Sequence, residues 1–232
     1  MSAGACRTTY PGAILRGLQR SVVVGLLALV CLLPASATGH APQTPTVLFL
    51  GDSLTAGFGL DPAFAFPALV QRRIDEHGWD FRVVNAGVSG ETTSGGLQRI
   101  DWVLRQPVAV LVLELGANDG LRGADLTLTE ANLAEMIVRA RRAHPDVKIV
   151  LAGMQVPPNL GVEYATAFRD IFPRLAEAHG AALIPFLLAD VGGVPELNLA
   201  DGIHPNVEGH AIVAETVWGA LEPILANLVG DP

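Results

Sequence analysis

One lysine, Lys148, stands in a chain of 232 residues. With 15 Lys+Arg against 23 Asp+Glu and a formal charge of −8, there is no basic stripe to displace counterions from a phosphate backbone, which excludes a nucleic-acid binder. Cysteine is nearly as scarce. Cys6 and Cys31 are too few for a Cys-rich zinc site or a disulfide framework. Charged residues make up 16 % of the chain and apolar ones 50 %; that balance excludes intrinsic disorder and provides a full core for one domain. The nucleotide loop Gly-x-x-x-x-Gly-Lys-Ser/Thr is absent, and Gly57-Phe58-Gly59 lacks the third glycine of a dinucleotide loop. His-Glu-x-x-His and Gly-x-Ser-x-Gly are absent too, so neither a zincin site nor an α/β-hydrolase elbow is encoded.

What is present begins with an address. Residues 1–37 carry Arg7, Arg16 and Arg20 and no acid, then an apolar run from Val22 to Leu33 and Pro34-Ala35-Ser36-Ala37. This reads as a secretory signal peptide cleaved after about Ala37. A retained anchor is the competing reading, but a dozen apolar residues fall short of the roughly 20 that span a bilayer. Cys31 follows Val30, a poor lipoprotein site. Cleavage would remove both cysteines and three of the fifteen basic groups, leaving twelve against 23 acids. A periplasmic or secreted product is expected, with a linker at 38–45 and one domain at 46–232. No later run reads as long and apolar enough to cross a membrane, so no stable insertion is expected.

Along that domain, short apolar runs alternate with helix-period segments. Strands are expected at Thr46–Leu50, Phe81–Asn85, Val108–Leu115, Val147–Gly153 and Ala181–Phe186. Helices are expected at Phe64–His77, Leu97–Arg105, Thr129–Ala143 (capped by Thr129), Glu163–His179 and Asn206–Leu228. Continuous apolar strands separated by helices predict a parallel five-stranded sheet in a three-layer α/β/α sandwich of flavodoxin-like order. Such sheets bind ligands beyond the carboxyl ends of their strands.

The chemistry-bearing residues fall at those ends. Ser53, in Gly51-Asp52-Ser53-Leu54, follows the first strand directly. There it is either an N-cap or a nucleophile, beside helix-start N–H groups that suit an oxyanion. Asp201-Gly202-Ile203-His204 lies at the other end of the chain. A seryl hydroxyl needs an imidazole base, and the imidazole needs a carboxylate on its other nitrogen. An isolated Asp-x-x-His is an ordinary surface turn, but paired with a strand-end serine it reads as catalytic. Gly87 permits close backbone approach to a ligand, and Asn118 carries a side-chain donor, although each is equally compatible with plain turn chemistry.

Other candidates weigh less. Ser89 and Ser94 lie in a Gly/Thr-rich segment that reads as a mobile loop. His210 falls on a different helix face from His204, so the two form no zinc pair. His77, His144 and His179 sit at helix ends, where capping is ordinary. Asp52 and Asp119 read as loop braces, and Glu114, inside an apolar strand, as a buried hydrogen-bonding partner for a loop.

Together, Gly51-Asp52-Ser53-Leu54, Gly87, Gly116-Ala117-Asn118-Asp119 and Asp201-x-x-His204 resemble the four ordered blocks of the GDSL, or SGNH, hydrolase family. The stretches Leu113–Gly123 and Leu199–Asn206 are most similar to its periplasmic thioesterase I/lysophospholipase and arylesterase branch. The resemblance implies Ser53 as nucleophile, His204 as base and Asp201 as its orienting acid. It further implies an oxyanion hole of the Ser53 and Gly87 N–H groups and the Asn118 side chain. Ala117 stands where the branch often has glycine. The function expected is a cofactor-free, metal-free, monomeric serine esterase acting on aryl and acyl esters, lysophospholipids and acyl thioesters. Leu121, Pro157, Pro158 and Leu160 are expected to flank the acyl group. The competing functions are a carbohydrate O-deacetylase on the same scaffold and a non-catalytic flavodoxin-like binding module.

Overall fold

The structure, a computed structural model, describes residues 44–230; the signal segment and most of the linker expected from the sequence lie outside them. Five parallel strands are laid out as β2-β1-β3-β4-β5: β1 (Thr46–Gly51), β2 (Arg82–Gly87), β3 (Val108–Glu114), β4 (Lys148–Ala152) and β5 (Ala182–Ile184). This is the flavodoxin-like order expected, and it follows from right-handed crossovers. Every residue of β1 is buried, and Val110 to Leu113 of β3 are wholly inaccessible. At roughly 1.5–3 kcal/mol for each large apolar side chain withdrawn from water, these central strands supply much of the driving force for folding. β2, an edge strand, stays partly exposed.

The helices are α1 (Ser53–Ala56), α2 (Phe66–Glu76), α3 (Thr93–Val103), α4 (Ala117–Leu121), α5 (Leu126–Ala143), α6 (Val162–His179) and α7 (Val207–Val229). α2 packs on α7, while α5 packs on both α3 and α6, which gives the helical layers on either side of the sheet. Three expectations need correction. α3 begins four residues before the expected start, because the Thr92 hydroxyl accepts the Gly95 N–H at 3.3 Å and Asp119 accepts the Thr93 N–H at 2.9 Å. The supposed mobile loop is therefore in large part a capped helix, with Thr93 buried. Asp125, not Thr129, caps α5, accepting the Thr127 N–H at 2.8 Å.

The third correction concerns α7, which has 23 residues and a mean hydropathy of 1.4 over its most apolar stretch. By length and composition it is long enough to cross a membrane. Here it presents His210, Val213, Ala214, Val217, Trp218, Leu221 and Leu225 as a buried stripe at helical spacing. Glu208 and Glu215 stay exposed on other faces.

Candidate active site

Strand register assembles the first half of the site. Gly51, the last residue of β1, pairs with Gly87 on β2 and with Glu114 on β3. Three strand ends thus meet on one line beneath α1. A side chain is not accommodated on this line. A Cβ on Gly51 would lie 2.1 Å from the Thr55 hydroxyl, and one on Gly87 would lie 2.3 Å from the Ala56 backbone nitrogen. Gly87 therefore permits close approach of the α1 backbone to the end of β2.

Ser53 opens α1, yet it does not cap it. Asp52 is the cap, accepting the Leu54 N–H at 3.0 Å, so the Ser53 hydroxyl is left for other work. α1 is a single turn, too short for much of the macrodipole expected to help an oxyanion. The neighbouring braces are buried. Glu114 accepts the Thr55 hydroxyl at 2.7 Å and the Asp52 N–H at 3.2 Å, as its position in an apolar strand suggested. Asp119 accepts the Thr93 hydroxyl at 2.6 Å, and Asn132 donates to that same hydroxyl at 3.1 Å, which ties α4, α3 and α5 together. Arg99 is ion-paired with Glu91 and donates to Ala86 O at 2.6 Å.

The second half of the site is a local turn. Asp201 Oδ1 accepts the N–H groups of Ile203 at 2.9 Å and His204 at 3.0 Å, while Gly202 adopts φ +68°. Asp201 Oδ2 lies 2.7 Å from His204 Nδ1. On the far side of the ring, His204 Nε2 is 2.9 Å from Ser53 Oγ. The residues joined in this way are 151 apart in sequence. The backbone N–H of His204, then that of Ile203, then the imidazole itself hold the Asp201 carboxyl down at about 2. An ionised Asp201 places the ring proton on Nδ1, so Nε2 is free to accept the seryl proton.

Two of the three expected oxyanion donors, the Gly87 N–H and the Asn118 amide, are already engaged. Gly87 N–H donates to Asn85 Oδ1 at 2.9 Å. Asn118 Nδ2 donates to Asp52 Oδ2 and to Glu91 O, each at 3.0 Å. A substrate oxygen would have to compete with Glu91 O and Asn85 Oδ1 for these protons. Burial is the main influence on Asp52, raising its carboxyl to about 6 against the opposing hydrogen bonds from Leu54 and Asn118. His210, buried under α2, accepts the Phe66 N–H at 3.2 Å. Burial, reinforced by the charge of His204, lowers it to about 4, so it is neutral and apart from the site. Among the described residues no cluster of His, Cys, Asp and Glu could hold a metal ion.

Leu121 and Leu160 are exposed apolar side chains, and Pro157 and Pro158 lie exposed just before Leu160 in sequence. Leu160 rests against Gly123, just past α4. Reading the sequence missed Phe58, whose ring sits 4.5 Å from that of His204 between centroids. Its only signal was the flanking pair Gly57 and Gly59, both at positive φ. A groove of about 480 Å³ runs along β2 and α3 past Val84, Arg99 and Trp102, but neither Ser53 nor His204 lines it.

Fold and site together define a serine-hydrolase scaffold: a doubly wound sheet with a Ser–His–Asp relay across its strand ends. The profile of the GDSL-like lipase/acylhydrolase family matches residues 49–212, and the chain belongs to that family. It is 42 % identical over 202 residues to "Esterase TesA" of Pseudomonas aeruginosa, across 87 % of this chain and 96 % of that protein. It is 38 % identical over 194 residues to "Thioesterase 1/protease 1/lysophospholipase L1" of Escherichia coli K12, across 81 % and 88 % respectively. The crystal structure of the psychrotrophic esterase EstA from Pseudoalteromonas sp., inhibited by monoethylphosphonate, superposes with a TM-score of 0.73 at 32 % identity. That match covers 78 % of this chain and 98 % of EstA.

Proposed function

We propose that the protein hydrolyses carboxylic esters through an acyl-enzyme on Ser53. The observation that carries this reading is the continuous relay from Asp201 through His204 to the Ser53 hydroxyl at 2.7 and 2.9 Å. In the first step His204 Nε2 takes the seryl proton as Ser53 Oγ bonds to the acyl carbon. The carbonyl oxygen takes up the negative charge and draws on the N–H groups of Ser53, Gly87 and Asn118. Collapse expels the alcohol or thiol, which receives the proton from His204. Water, deprotonated by the same imidazole, then releases the acid and restores Ser53. No cofactor enters this scheme, and every group comes from one chain, which suits a monomer.

Aryl esters, lysophospholipids and acyl thioesters are the proposed substrates, in keeping with the names of the relatives. Leu121, Pro157, Pro158 and Leu160 supply the apolar contacts for the acyl group. The Arg-containing N-terminal segment directs export, and N-terminal sequencing of the periplasmic form is expected to begin near residue 38. The deciding test is covalent labelling with a fluorophosphonate. The label is expected on Ser53, and Ser53→Ala is expected to lose both the label and p-nitrophenyl ester hydrolysis. A fully active Ser53→Ala protein would overturn the proposal.

A further inference from the structure

Glu114 is the one wholly buried acid in the core, and the relay does not use it. Its two oxygens are treated differently. Oε2 accepts twice, from the Thr55 hydroxyl and the Asp52 N–H. Oε1 is buried and meets no donor among the described residues. Another buried acid is close by: the Asp52 backbone N–H lies 3.2 Å from Oε2, and the Asp52 charge acts on Glu114. Two ionised carboxylates so placed, out of water, would repel strongly with one lone pair unanswered. A single proton on Glu114 removes both penalties. It converts Oε1 from an unanswered acceptor into a donor, for which the neighbouring Asp52 carboxylate would serve as acceptor.

We propose that Glu114 is a positioning residue that remains a neutral carboxylic acid and donates its proton to Asp52, fixing the carboxylate that holds the Asn118 amide at the oxyanion site. Asp52 is then fully specified. It receives the Leu54 N–H on Oδ1 and the Asn118 amide on Oδ2, and the Glu114 proton completes its set. Burial, followed by the charge of Asp52, pushes the Glu114 carboxyl well above the usual range. The charged neighbours reinforce the assignment of the proton. His204 lies on the Asp52 side and favours its ionised form. Arg99 reaches Gly51 O from α3 but is paired with Glu91. On α4, Asp119 is committed to Thr93, and Arg122, just past its end, donates to Asn118 Oδ1 at 3.3 Å.

The proposal rests on the esterase reading for the role of Asn118, and its tests separate the two. Glutamine reproduces the hydrogen-bonding pattern of a neutral acid, accepting on one atom and donating from the other. Glu114→Gln is therefore expected to keep kcat within about fivefold of the parent. Glu114→Ala is expected to lose about 10- to 100-fold in kcat with little change in KM, as an interaction needed in the transition state would. Infrared difference spectra at pH 8 are expected to show a protonated carboxylic acid band in the parent that is missing from Glu114→Gln. The absence of that band, or a Glu114→Gln protein as impaired as Glu114→Ala, would overturn the positioning role. The spectrum needs no activity, so it reports on Glu114 even if Ser53 resists the fluorophosphonate. Should the alanine variant fail to fold, the glutamine variant and the spectrum decide alone.

Discussion

The two halves of the Ser53–His204–Asp201 relay are built by different means. Ser53 sits where three strand ends converge, held by Asp52, Glu114 and the one-turn helix, all buried. His204 rides on a four-residue turn that Asp201 itself ties, with the Asp201 side chain 37 % exposed. Ser53 therefore inherits its position from the whole sheet, whereas His204 inherits its own from its sequence neighbours. Interior errors on the serine side propagate into the core, while errors on the histidine side stay in the turn.

The sharpest test of this contrast is in the histidine half. His204→Ala is expected to lower kcat by about 10³-fold or more while leaving thermal stability nearly unchanged, as activity assays and melting curves would show. Asp201→Asn keeps an oxygen for the turn but sets an amide against the ring, favouring the wrong tautomer. A loss of about 10⁴-fold in kcat with retained folding is expected, read by the same pair of measurements.

Glycine substitutions compare the halves directly. Gly87→Ala drives a methyl into the α1 backbone and is expected to cost about 1–3 kcal/mol by denaturant titration, with activity falling alongside. At Gly202 the space is open, so Gly202→Ala meets only the strain of φ +68°, about 1–2 kcal/mol. Equal costs at the two positions would erase the distinction.

The smallest expected effect is on pH dependence. Asp52 has its carboxyl raised from 3.8 to about 6, so the folded state binds its proton more tightly than the unfolded state. Its burial penalty is fully present above about 6 and is relieved as pH falls toward 3.8. His210 works in the opposite direction. Lowered from 6.5 to about 4, it contributes stability that is lost as pH falls from 6.5 toward 4. The two partly cancel in the parent. Asp52→Asn removes one of them, so its melting temperature is expected to fall more steeply than the parent's from pH 7 to pH 5. Asp201 does not enter this window, because its depressed carboxyl gives up its contribution only on acidification from 3.8 toward about 2.

Much of this architecture could be read from residue patterns because its determinants are short-range. Val108–Leu113 is a continuous apolar run, and such a run flanked by helices has few alternatives to a buried parallel strand. Asp201-x-x-His204 encodes its own turn, and its spacing, paired with the strand-end Ser53, suggested the contact now seen at 2.7 Å. What escaped notice depended on tertiary partners. The start of α3 lies among glycines and threonines and is secured by Asp119, 26 residues away. Phe58 meets His204 only because the chain ends converge. The tight fit at Gly87 requires knowing that α1 crosses directly above it.

Asp201 has two employments, one for each oxygen. Oδ1 shapes the loop, and Oδ2 orients the His204 ring. Anyone transplanting this relay to another scaffold, or relocating the acid to a different strand, would need a substitute anchor for the Ile203 and His204 amides. Deleting the side chain outright would confound a mechanical loss with an electrical one, so alanine at this position overstates what the negative charge alone contributes.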